Sequence, residues 1–387
     1  MDTFTQAALG ATIAQAGFGK QLGRRAVWIG AVCGALPDAD IISAAFGPWA
    51  SMVHHRGMTH SLIFAAVAAP LLGWIAWRWL DRGDLAASSA AGDSAPPGSL
   101  TAGRGTRSGT KWQWTQLAFW ALVTHPLLDI FTSYGTQFLW PFSDHRLALD
   151  AIPIIDPIYT LTLIGALILG RVYRKRAKVG RWVATAALVV TTGYLGLGYV
   201  ESQQAQRLAA EQLRDQGFEP VHLRAQPSML VWMWRVVARN ANGDLRIGVV
   251  SSYAPTPMTF VSVDRPDEPL VERALDSPQG RLLQWFSDGM IGARLERRGE
   301  ATRVVLEDQR YGSVIEPATA FWGAHADFDG AGKLVTMDRY RNHRPGRIGA
   351  MVAASWSMMW NGVEPPSREG PEVSGVADDA PSPSPRE

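Results

Sequence analysis

The chain has eight histidines in 387 residues, and three of them stand within seven positions. That stretch reads His54-His55-Arg56-Gly57-Met58-Thr59-His60 and is followed by Ser61. Neutral imidazoles are the commonest protein ligands of zinc and similar ions, and Gly57 permits a tight bend that turns the rings inward. Two acids, Asp38 and Asp40, follow Pro37 in an otherwise apolar run. Pro37 should break the helix there and let both carboxylates project toward one opening. No cation stands beside them, which favours a bound cation as partner over two acids that merely end an apolar run at water. A third group, His125-Pro126-Leu127-Leu128-Asp129, sets an imidazole and a carboxylate four residues apart, on one helix face. That spacing suits two ligands of one ion, or one ligand and the partner that orients it. The single cysteine, Cys33, reads as a small buried hydrophobe and excludes both an intrachain disulfide and a Cys-rich zinc cluster. A metal must therefore be held by histidine and carboxylate.

Other residues extend this set. Arg56 has no basic neighbours and is a candidate for gripping an anionic oxygen bidentately, or for anchoring at the membrane interface. The segment 132–143, with small hydroxyls, an amide, Trp140 and Phe142, suits an interfacial pocket wall that continues to Arg146. Asp156 is open between a further ligand and the N-cap of a helix that begins at Pro157. Thr3, Thr5 and Gln6 are open between capping a first helix and supporting the ligands with hydrogen bonds.

The elements that must position these groups are apolar. Runs of about 20 residues, enough to cross about 30 Å of hydrocarbon, occur at 26–46, 61–80, 113–133, 152–170 and 182–200. A shorter Gly/Ala-rich run, 4–19, is either a tilted span or a re-entrant helix. The expectation is an α-helical polytopic membrane domain of about five to six spans over residues 1–200, interrupted by a flexible Gly/Ser/Pro-rich loop at 81–111. Residues 201–364 carry short β-branched runs and turn signals such as Asn242-Gly243-Asp244, and read as a β-rich or α+β domain led by a helix over 201–217. Residues 365–387 read as a disordered tail. No secretory signal is apparent at the start, and a net charge of +2 gives no reason to invoke nucleic acid. Lys and Arg concentrate at 20–25, around 81–111 and at 171–181, and cationic loops stay in the cytoplasm. That rule puts the His loop, the ends of the runs carrying Asp38, Asp129 and Asp156, and the domain after Val200 on the outer side.

Taken in order, Asp2-Thr3, Thr5-Gln6, Pro37-Asp38-Ala39-Asp40, the His54 to Ser61 block, His125-Pro126-Leu127-Leu128-Asp129 and Thr132-Ser133-Tyr134-Gly135-Thr136 resemble the bacterial membrane-bound, metal-dependent hydrolase (YdjM-like) family. The resemblance covers roughly residues 1–160 and reaches toward 200. It implies a multi-pass inner-membrane protein with a metal-dependent hydrolase label. The His and Asp pattern is also faintly similar to zinc-dependent phospholipase C enzymes, which implies hydrolysis of a phosphoester or lipid headgroup at the bilayer. The resulting expectation is a divalent metal, Zn2+ by chemistry, held by Asp38, Asp40, His55, His60, His125 and Asp129, with His54 and Asp156 as further candidates. Asp40 or Asp156 would serve as base, and Arg56 would stabilise anionic charge. The rivals are a metal or ion transporter using the same acids, and a non-catalytic scaffold whose metal only clamps helices.

Overall fold

The computed structural model describes residues 1–80, 109–228, 230–254, 257–342 and 348–361. Most of the loop expected at 81–111, and the whole tail expected at 365–387, lie outside these residues.

The N-terminal half is a helical bundle. Helix α1 (Thr3–Ile13) is capped by Asp2, whose carboxylate accepts from the Thr5 amide, and runs through a π-helical turn (Ala14–Phe18) into the short α2 (Gly19–Leu22). Helix α3 (Arg25–Ala35) returns antiparallel to it, with Gly10 against Gly30 and Gln6 against Gly34. A Cβ at Gly10 would lie 2.1 Å from the Gly30 carbonyl oxygen, so only glycine allows this approach. At Pro37 the α-helix gives way to a 3-10 segment, Leu36–Phe46, which is the break that proline favours. Then come α4 (Pro48–His54), a single 3-10 turn (Met58–His60), α5 (Leu62–Leu80), α6 (Lys111–Ile130), α7 (Pro157–Val172) and α8 (Ala177–Asp215).

Among the described residues three helical stretches are long and apolar enough to cross a membrane: Arg25–Phe46, Leu62–Leu80 and Ala177–Asp215. This corrects the expected five to six. The run at 113–133 does form a 20-residue helix, α6, but Trp114, Leu117, Leu122, His125 and Asp129 on it are buried by its neighbours. An inner helix shielded by others needs no uniformly apolar perimeter, and α6 carries polar groups accordingly. The run at 152–170 forms only the 16 residues of α7, short of the ~20 that span hydrocarbon. The run at 4–19 is helical throughout but lies against α3 and is not among the three. Trp28, Val67, Leu71, Trp79, Val189 and Val190 point outward from the bundle. So much exposed apolar surface is the mark of a lipid-facing protein.

Helix α8 joins the two halves. Its 39 residues, about 58 Å long, merge the run at 182–200 with the helix expected over 201–217. The buried Ser202, Ala205, Ala209 and Leu213 recur every three or four residues, one face laid on a sheet. That sheet is the antiparallel meander β1 (His222–Pro227), β2 (Met233–Arg239), β3 (Leu245–Ser251) and β4 (Val261–Val263). Trp234, Val236 and Val250 share one core with Leu195, Ala205 and Ala209 of α8. Helices α9 (Pro269–Asp276) and α10 (Pro278–Ser287) lead to a second meander, β5 (Ile291–Arg298), β6 (Ala301–Asp308), β7 (Trp322–Phe328) and β8 (Leu334–Arg341), followed by α11 (Ile348–Asn361). The C-terminal half is thus α+β. Its second core takes in Met52 of α4, with Trp49 and Tyr134 packed against it, so this sheet and its helices roof the bundle.

Candidate metal centre

Three segments meet at one end of the bundle. The 3-10 stretch after α3 brings Asp38, the turn before α5 brings His60, and α6 brings His125 and Asp129. Asp38, His60 and His125 each offer a ligand atom, and these atoms lie within 4.8 Å of one another. The two Nε2 atoms of His60 and His125 are 3.0 Å apart. Asp38 Oδ1 is 3.6 and 3.5 Å from them, and Asp129 Oδ2 is 3.3 and 3.5 Å from them. Two ligands on one tetrahedral zinc at about 2.0–2.1 Å stand about 3.3 Å apart.

The proton positions follow from the partners. His125 Nδ1 lies 2.5 Å from the Gly34 carbonyl oxygen, which can only accept, so Nδ1 donates and Nε2 keeps its lone pair. His60 Nδ1 lies 3.1 Å from Asp40 Oδ2, which likewise fixes its proton away from the cluster. With both rings neutral, two lone pairs face each other beside two carboxylate oxygens. One of these, Asp129 Oδ2, is buried without a hydrogen-bond partner. Orphaned acceptors grouped this way are a site for a cation, and the donor set fits a divalent metal.

Hydrogen bonds from the surroundings fix the candidate ligands in place. Asp129 Oδ1 accepts from Gln6 Nε2 at 2.9 Å and from the Met1 amino group. Gln6 also donates to the His125 carbonyl, and Thr3 donates to Asp38 Oδ2 at 2.6 Å. Thr3 and Gln6 thus hydrogen-bond the candidate ligands. Asp40 stands outside the cluster, where it accepts from the Arg56 and Thr59 N–H and O–H groups and meets His55 Nδ1 at 2.7 Å. Its four contacts shape the His loop from behind.

The bend in that loop falls on Gly57 and the residue before it. Gly57, at φ −95° and ψ −121°, lies outside the regions open to other residues, and Arg56 is left-handed at φ 60°. Gly57 is needed for space as well, since a Cβ there would lie 2.9 Å from the His54 carbonyl oxygen. A left-handed non-glycine such as Arg56 costs of order 1–3 kcal/mol, and such residues cluster at functional sites. The strained turn buries the Arg56 side chain, with Nη1 donating to Thr132 at 2.8 Å, Nε 3.3 Å from Asp129 Oδ2, and the guanidinium 4.9 Å over the Tyr134 ring. Arg146 lies against the other residues of this wall, 5.0 Å from the Tyr134 ring and 5.0 Å from Phe286 of α10. It donates to the Tyr134 and Gly135 carbonyls, and no carboxylate pairs with it among the described residues. Burial, with Arg310 and Arg56 nearby, pulls its guanidinium down to about 10.

Two candidates stand apart. His54 is exposed and makes no side-chain hydrogen bond among the described residues. Asp156 caps α7, accepting from the Tyr159 amide at 2.9 Å and the Tyr194 hydroxyl at 2.8 Å, so both its oxygens are engaged away from the cluster. The Gly34 carbonyl went unnoticed in the sequence. Its trace was the pair Gly30 and Gly34, whose four-residue spacing signals backbones in contact.

A bundle of apolar helices with a buried His–carboxylate cluster at one end defines a membrane protein with a candidate metal-binding triad. Residues 1–205 match the YdjM inner membrane protein family, and the chain belongs to that family. It is 33% identical over 125 residues, 32% of this chain and 57% of the relative, to the inner membrane protein YbcI of Escherichia coli (strain K12). It is 24% identical over 257 residues, 61% of this chain and 65% of the relative, to the uncharacterized protein YfhP of Bacillus subtilis (strain 168). The chain thus spans 57% and 65% of the length of these curated relatives. No solved structure matches it at a significant level. The family it belongs to is one of inner membrane proteins.

Proposed function

We propose that the chain is a metal-dependent hydrolase of the inner membrane, acting on a phosphoester or lipid-type substrate at the outer face. The observation that carries this reading is the pair of facing Nε2 atoms, 3.0 Å apart, beside the orphaned Asp129 Oδ2. Asp38, His60, His125 and Asp129 are the ligands in this reading, and zinc is the ion their chemistry favours. A divalent ion supplies Lewis acidity and activates water near neutral pH. Asp40 orients His60, while His55, held by Asp40 through Nδ1, exchanges a proton at Nε2. Arg56 and Arg146 neutralise the substrate's anionic oxygens, which is why a phosphoryl group suits this wall better than a neutral ester. The C-terminal half, exported in this reading, closes the site from above through Trp285 and through Phe286, whose ring meets Tyr134 edge-on.

The test is metal analysis of the purified chain beside His60→Ala and Asp129→Ala, with turnover screened on phospholipids and phosphodiesters. The expected result is about one equivalent of metal and a hydrolytic activity that both variants lose. Fewer than ~0.2 equivalents in the wild type after mild preparation, with His60→Ala unchanged, would overturn it. The donor count favours a second reading, because four protein ligands close a tetrahedral shell and leave no position for water. Cobalt substitution separates the two: exchangeable water on the ion supports hydrolysis, and a water-free four-coordinate spectrum supports a structural clamp.

A further inference from the structure

Helices α1, α3, α7 and α8 line a groove of about 810 Å³ that follows α1 from Phe4, next to Thr3 of the cluster, to Lys20 at the far end of the bundle. Small residues such as Ala8, Ala11 and Ala31, with Leu167, form its walls. At the far end its rim carries Lys20, Arg24, Arg171, Arg174, Lys178 and Arg181, and no acidic side chain lines it among the described residues. Arg24, Arg171, Arg174, Lys178 and Arg181 make no ion pair among the described residues. Trp28, 77% exposed, stands beside them where aromatic residues mark a membrane interface.

We propose that this groove binds one anionic phospholipid, an acyl chain lying between the helices and the phosphate among the rim cations. The dimensions fit. From Phe4 to Lys20 the wall follows α1 through α2, a rise of about 24 Å, longer than the ~15 Å depth of one leaflet's hydrocarbon. The volume falls within the 300–1,000 Å³ typical of small-molecule sites. Charge complementarity chooses the lipid: a zwitterionic headgroup brings its own cation into a rim of six, and an anionic one does not. The width is fixed by the fold. Gln15 Nε2 donates to the Ala166 and Gly180 carbonyls and ties α7 to α8 behind the groove, in space that a Cβ at Gly170 would fill at 2.3 Å.

The experiment uses the full chain in mild detergent, loaded with equal phosphatidylglycerol and phosphatidylethanolamine and read by native mass spectrometry. One phosphatidylglycerol per chain should be retained in at least tenfold preference. The combined Arg24→Gln, Arg171→Gln and Arg181→Gln variant should lose that preference, and the matching Arg→Lys variant should keep it. Ala31→Phe, which narrows the groove and leaves the rim intact, should reduce retention of both lipids. Equal retention of the two lipids by wild type, undiminished preference in the Gln variant, or displacement of the bound lipid by glycerol 3-phosphate alone would each overturn the proposal.

Discussion

Around β6 and the start of the C-terminal half two buried arginines are held in closed carboxylate pairs. Asp308 accepts Arg310 through two bonds of 2.9 and 2.7 Å, and Asp150 accepts Arg224 through two of 2.7 and 2.6 Å. Burial alone would pull the Arg310 guanidinium down, yet Asp308 holds it above its ordinary value. Under the same roof, the bundle buries two histidines and two aspartates whose acceptor atoms converge on one another. The contrast separates two uses of buried polarity. A closed pair has its desolvation offset by its partner and contributes architecture. An open set of acceptors is unfavourable by itself, and persists where a cation completes it.

The largest effect should come from opening a closed pair. Asp308→Ala leaves Arg310 buried and unpaired and should cost about 3–5 kcal/mol in denaturant unfolding. In metal-stripped protein Asp38→Asn should change stability by less than about 1 kcal/mol, because it removes charge from an open set. With metal present the order reverses, and Asp38→Asn should lower metal affinity more than about 100-fold in a chelator competition, against no change for Asp308→Ala. If both variants unfold the metal-free protein equally, the distinction between closed and open charge fails. Asp40→Asn is the next step down. It removes the carboxylate that fixes the His60 proton, an outer partner whose loss costs about 10–100-fold in affinity. A loss as large as that of Asp38→Asn would make Asp40 a ligand.

The site was more legible in the sequence than the fold. Histidines and carboxylates announce themselves by type, and His60, His125, Asp38 and Asp129 were all among the expected ligands. Their ranking was not legible. Whether Asp40 sits among the ligands or behind them depends on the turn at Arg56, and a left-handed arginine leaves no compositional trace as glycine does. Asp156 was ambiguous because an acid before Pro157 serves equally as cap or ligand, and only the Tyr159 and Tyr194 partners decide. The spans were overcounted for a related reason. Hydropathy measures how apolar a run is, whereas α6 is sheltered by other helices, a relation between segments that no single run records. The C-terminal meanders fared better at their turns, since Gly243 has φ 91° between β2 and β3, where Asn242-Gly243-Asp244 signalled a turn.

The smallest effect sharpens the comparison at the surface. Asp244 is a closed acid in the open: Oδ1 accepts from the Arg265 amide at 3.0 Å and Oδ2 from Asn240 Nδ2 at 2.9 Å. The Arg265 amide first, and Asn240 after it, hold its carboxyl below the ordinary 3.8. A group depressed on folding contributes stability that is present above its unfolded value and is lost as pH falls through the folded one. The stability difference between wild type and Asp244→Asn should therefore be constant from pH 7 to about pH 5 and shrink on further acidification, read as unfolding midpoints in urea across that range. A difference that does not change with pH would show that the asparagine satisfies the same two donors equally well. The network there would then be one of hydrogen bonds, with charge contributing nothing.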